Sequence, residues 1–131
     1  MLRARALPDI EEQKACCAAC GLAHDADLLY YAIFEDETEC LGVCAFRLRH
    51  PFAEIVSIAP KTGTYDDEAM FILGKATLNF LDLVHFQNVR YLADDEKLAK
   101  LLEFYPKDGY LYVNLENYFD EPCKRRKTED K

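Results

Sequence analysis

Residues 53–59, Ala-Glu-Ile-Val-Ser-Ile-Ala, are apolar and β-branched and run into a loop holding Lys61, Thr62, Gly63 and Thr64. A helical pattern then opens on Asp66, Asp67 and Glu68. A strand, a loop and a helix start in this order present backbone N–H groups at the positive end of a helix dipole, where phosphates commonly bind. Three carboxylates at the same place oppose an anion, although as first-turn residues they complement the dipole by roughly 0.3–1 kcal/mol each. The segment therefore has the form of an anion site with the wrong charge.

Cysteines offer a second kind of chemistry. Cys17-x-x-Cys20 and Cys40-x-x-x-Cys44 could supply four thiolates to zinc, with Cys17 and Cys20 on one helix face and Cys40 and Cys44 on one strand face. Structural zinc pairs usually sit on tight turns, whereas these lie within regular elements. Cys16, Cys17 and Cys20 among Ala15, Ala18 and Ala19 read instead as small apolar packing residues, so no metal is expected. Hydrolase and nucleotide motifs are missing. Ser57 is the only serine and lies mid-strand without a Gly-x-Ser-x-Gly elbow, and the five glycines form neither a Walker loop nor a dinucleotide fingerprint.

Bulk composition narrows the partners. The chain has 131 residues and a formal net charge of −8, which repels nucleic acid and anionic lipid over most of the surface. The basic run Lys124-Arg125-Arg126-Lys127 lies in a segment without apolar periodicity. Residues 1–119 read as one domain, and residues 120–131 as a charged, solvated and disordered tail. No apolar run approaches the length of a membrane span and the first residues lack a signal-peptide core, so a cytoplasmic protein with free thiols is expected.

Around the loop, the elements follow from periodicity. Leu2, Ala4 and Ala6 alternate with arginines in a short strand, and a helix over about 9–20 is closed by Gly21. Strands over 28–35, 40–48 and 53–59 are joined by turns too short for a crossover, which makes them an antiparallel meander. Residues 66–85 repeat apolar positions at helical spacing, 89–93 read as a buried strand, and Leu98, Leu101 and Leu102 line a further helix whose stripe Tyr105 extends. Residues 110–115 give the last clear strand. The fold class is α/β (α+β), a mixed sheet in the order β-α-β-β-β-α-β-α-β, with a meander followed by a parallel crossover.

That order resembles the GCN5-related N-acetyltransferase (GNAT) fold over residues 2–115. Tyr105-Pro106-Lys107-Asp108-Gly109-Tyr110 looks like the family's Tyr-x-Lys-x-Gly-Phe ending of its fourth helix. Leu41-Gly42-Val43 and Leu73-Gly74-Lys75-Ala76 agree more weakly. The family's central helix follows an Arg-x-x-Gly-x-Gly/Ala loop that holds the pyrophosphate of acetyl-CoA. Here Tyr65 falls at the arginine with Glu68 and Met70 at the glycines, or, in the other register, Gly63 at the arginine with Asp66 and Glu68 at the glycines. Both registers lack the arginine and both glycines.

The resemblance implies an acyl transfer from acetyl-CoA to a primary amine on a small molecule or peptide. It puts the general acid at Tyr105, since a phenol can protonate a leaving thiolate, and the general base at Glu54 on the strand before the loop. Cofactor contacts would come from Ile58 and Ala59 and from Lys61, Thr62, Gly63, Thr64 and Tyr65. Three bland readings stand beside these: Tyr105 as core, Glu54 as a solvent-facing strand residue, and the whole chain as a GNAT-shaped interaction or regulatory module without acetyl-CoA. The family usually adds one more strand after residues 110–115, so a missing strand would leave an edge open to a homodimer.

Overall fold

A computed structural model describes residues 1–119. The basic run and the predicted tail lie outside the described residues. β1 (Leu2–Ala6) leads through Pro8 to α1 (Ile10–Ala19), whose cap Asp9 accepts a hydrogen bond from the Glu12 amide at 3.0 Å. β2 (Leu29–Glu35), β3 (Glu39–Arg49) and β4 (Phe52–Pro60) form the expected antiparallel meander. α2 (Asp67–Leu83) is capped by Asp66, which accepts from the Ala69 amide at 3.0 Å. It returns the chain to β5 (Asn88–Tyr91), parallel to β4. α3 (Glu96–Leu101), β6 (Tyr105–Lys107) and β7 (Tyr110–Asn114) complete a seven-stranded sheet in the order β1-β2-β3-β4-β5-β7-β6.

The sheet is covered differently on its two faces. α2 lies on one, and Met70, Leu73, Leu78 and Leu81 meet Ile33, Phe46, Ile55 and Val89 in the main core. Gly74 lets α2 approach α3 closely, since a Cβ there would stand 2.6 Å from a Leu102 methyl. On the other face α1 covers only part of the sheet, with Cys16, Cys17 and Cys20 packed against Tyr30, Ala32, Phe34, Val43 and Ala45.

Three expectations are corrected here. The helix stripe does not reach Tyr105: α3 ends at Leu101 with Leu102 as its cap, Glu103 takes a left-handed φ of 72°, and Pro106 stands in a strand where helix is excluded. Gly109 (φ 83°) therefore turns the β6–β7 hairpin and does not end a helix. The last strand is not missing, because residues 105–107 supply it and β7 inserts between it and β5. Finally, Cys40 and Cys44 do not share a strand face. Phe34 pairs with Cys40 while Ile33 pairs with Gly42, so Leu41 is an extra residue that inverts the alternation. Cys44 points into the α2 core and Cys40 packs beside the α1 cluster.

Candidate functional site at the splay of β4 and β5

β4 and β5 pair only from Phe52↔Asn88 to Ile55↔Tyr91, and the Leu92 amide makes a last bond to the Ile55 carbonyl at 2.8 Å. β4 continues to Pro60 while the other chain turns away into α3. Val56 adds to the divergence, because Ala45 pairs with Ser57 and Phe46 with Ile55, which makes Val56 a bulge. The resulting cleft has a volume of about 190 Å³. Leu22, Val56, Ser57, Ile58, Ala59 and the turn residues 92–94 line it.

The loop after β4 is tied on several sides. The Lys61 amide donates to the Leu41 carbonyl at 2.9 Å, the Thr62 amide to Ala19 at 2.9 Å and the Thr64 amide to Lys61 at 3.0 Å. Lys61 Nζ contacts Glu39 Oε2 at 2.6 Å. Tyr65 reaches from this loop to the start of α3, donating its hydroxyl to Asp95 Oδ2 at 2.6 Å, while Oδ1 of the same carboxylate accepts from the Leu98 amide at 3.0 Å. Partial burial and then the neighbouring Asp95 carboxylate push the Tyr65 phenol above its ordinary range, so it remains the donor of this bond. Asp66, Asp67 and Glu68 all face solvent at the start of α2.

The structure thus brings together Ile58 and Ala59, on the cleft wall, with the loop of Lys61, Thr62, Gly63, Thr64 and Tyr65. Glu54 and Tyr105 are placed elsewhere. Glu54 is only 5% exposed, in contrast to a solvent-facing strand residue. Its Oε1 accepts from Arg47 Nε at 2.7 Å and lies 3.5 Å from Arg49 Nη1, and its Oε2 lies 3.8 Å from Arg90 Nη1. Burial pushes this carboxyl up, but the Arg47 hydrogen bond and the charges of Arg47 and Arg49 outweigh it and hold the group below its usual value. Tyr105 stands exposed on β6, its ring edge-on to Tyr112 at 5.7 Å between centroids. Counting the resembled helix ending back from Glu103-Phe104, where the helix does end, puts its tyrosine at Ala99, which is fully buried and has no hydroxyl.

The architecture of this chain has many solved counterparts. One is a GNAT-family acetyltransferase from Staphylococcus aureus, at TM-score 0.68 and 8% identity, covering 88% of this chain and 100% of that one. Another is a GNAT-family acetyltransferase from Brucella melitensis in complex with acetyl-CoA, at TM-score 0.65 and 14% identity, covering 87% and 88%. A third is spermidine/spermine N-acetyltransferase from Vibrio cholerae, at TM-score 0.65 and 13% identity, covering 92% and 96%. The chain has the GNAT fold. No family model matches its sequence, and no curated protein does.

Within the GNAT fold, the cleft residues Val56, Leu92, Ala93 and Asp94 were not named as site residues from sequence, and Ser57 was considered only as a hydrolase serine. The signal for Val56 was weak: a bulge is visible only once the register of β3 against β4 is known. Arg47 and Arg90 were also missed, although Arg47-x-Arg49 opposite Glu54 across a short turn could have been paired by counting outward from Pro51. Among the described residues no group of three or more His, Cys, Asp or Glu side chains is placed to hold a metal.

Proposed function

We propose that the chain is a GNAT-type N-acyltransferase that takes acetyl-CoA into the cleft between β4 and β5. The observation that carries this reading is the length of β4 from Val56 to Pro60 that has left β5, beside a cavity walled by its own backbone. An extended, amide-containing arm such as pantetheine can add to such an edge as a strand would. Transfer forms a bond between the amine nitrogen and the acyl carbon and breaks the carbon–sulfur bond, and the thiolate takes up a proton. Glu54, engaged by guanidinium groups, is a poor base, and Tyr105 stands on the distal hairpin. In this reading Asp94, on the cleft wall, is the carboxylate available to the amine's proton, and rate comes mainly from holding amine and thioester together.

One set of observations favours the second reading, a GNAT-shaped interaction or regulatory module that binds no acyl-CoA. Three loop amides are already bonded within the protein, and the Tyr65–Asp95 bond ties the loop to the start of α3 next to three carboxylates. Thermal unfolding with millimolar acetyl-CoA separates the two. A ligand at 100 times its Kd adds about 2.7 kcal/mol, seen as a rise in Tm of several degrees. That rise is expected of the enzyme, and Tyr65→Phe should enlarge it by releasing the loop from α3. An unchanged Tm in both proteins overturns acyl-CoA binding and leaves the second reading.

A further inference from the structure

The sheet face that α1 leaves uncovered carries a hollow of about 190 Å³ lined by Phe52, Asn88, Arg90, Lys107, Asp108 and Tyr112, none of which lines the β4–β5 cleft. Its charge is opposite to that of the protein. Arg90 and Lys107 line it against one carboxylate, Asp108, in a chain whose net charge is −8, and Arg90 also faces Glu54, which Arg47 and Arg49 already engage. Local potential inside a concave site can exceed and invert the average field of a surface.

The geometry of Arg90 is specific. Its guanidinium carbon lies 3.6 Å from the Phe52 centroid and 4.2 Å from that of Tyr110. Two rings thus hold the group in place, and its planar N–H edge carries the donors a ligand would meet. The nearest Glu54 oxygen is 3.8 Å away, beyond hydrogen-bond reach, so Glu54 balances the charge of Arg90 without occupying its donors. Lys107 Nζ lies 4.6 Å from the Tyr112 centroid and pairs with no carboxylate among the described residues. Asn88 Oδ1 is occupied by the Tyr112 hydroxyl at 2.5 Å and by Asn114 Nδ2 at 3.1 Å. The polar groups left to a ligand are thus chiefly donors, fixed in place by aromatic rings.

We infer that this hollow is a binding site for a small carboxylate, held bidentately by the edge of Arg90 and by the Lys107 ammonium, with its apolar part against Phe52 and Tyr112. A planar edge matches the two oxygens of a carboxylate, and such paired bonds are about twice as strong as neutral ones. The site is independent of acyl-CoA binding in the cleft, and its test does not involve CoA.

Benzoate, inorganic phosphate and benzylamine are to be titrated into the ¹⁵N-labelled full chain, following amide shifts. Benzoate should saturate with shifts confined to residues 51–54, 88–91 and 105–114, and benzylamine should not. Arg90→Lys keeps the charge but removes the planar edge and should weaken benzoate at least tenfold. Lys107→Gln, at an exposed position whose ammonium meets the Tyr112 ring and no carboxylate, should weaken it several-fold while changing Tm little. Phosphate binding as tightly as benzoate, or Arg90→Lys binding as the native chain does, overturns the carboxylate assignment. Shifts that never saturate overturn the site itself.

Discussion

Glu54 sits at the junction between what a strand pattern shows and what a sheet does with it. Alternation with Ile55 marks it as facing away from the α2 core, which is correct, and on that ground a solvent-facing residue is expected. The face it joins is not open at that point, since Arg47 and Arg49 arrive from β3 and Arg90 from β5 to cover it. Because its folded carboxyl is held below the unfolded value of about 4.3, its contribution to stability is present above that pH and lost as the pH falls through the folded value. Glu54→Gln should therefore flatten the acid limb of a plot of Tm against pH below about 4.3. Glu54→Ala, which leaves the arginines facing one another, should cost about 2 kcal/mol at neutral pH, less than a fully buried pair because Arg47 and Arg49 reach solvent. Denaturant unfolding measures this. An alanine variant as stable as the native chain would remove the structural role given to Glu54.

The helices and the meander were legible at the level of elements because each is long enough for its periodicity to repeat. α2 shows this best, with Met70, Leu73, Thr77 and Leu81 all buried at spacings of three and four. What could not be read were the places where one residue changes the phase. Leu41 and Val56 are both single insertions, and each moves everything after it to the other side of the sheet. β6 escaped for a different reason: three residues with a proline in the middle carry no strand pattern, and Tyr105 happens to continue the helical stripe of Leu98, Leu101 and Leu102. The packing of α2 on α3 also turns on one position. A valine at Gly74 would drive branched methyls into Leu102, already 2.6 Å from a hypothetical Cβ, so Gly74→Val should destabilise by about 2–3 kcal/mol. Chemical denaturation checks it, with Ala76→Val on the same helix as a half-buried control that should cost much less.

For the whole molecule, the GNAT order gathers the functional features at β5, a strand of only four residues. Its C-terminal end opens the cleft and its middle supplies Arg90 to the carboxylate hollow, so the two sites lie on one element without sharing a lining residue. The outer edge beyond β7 is β6, which offers three exposed residues including Pro106 and Lys107, a poor template for another strand. An open C-terminal edge was the sequence-level ground for expecting a homodimer. With that edge blunted, light scattering should give one species at the chain mass of 15.1 kDa, and a mass of twice that would restore the dimer. Of the cleft's lining only Ile58 and Ala59 were named from sequence as contacts, because its far wall depends on where β5 turns away.

The bond from the Thr62 amide to the Ala19 carbonyl bears on any attempt to rebuild a phosphate cradle in this scaffold. Replacing acidic residues at the head of α2 with glycines would correct the charge and the crowding, yet leave the loop fastened to the last turn of α1. An engineer would have to redesign two distant segments together, the loop and the end of a helix some forty residues upstream, before the backbone could turn its donors outward.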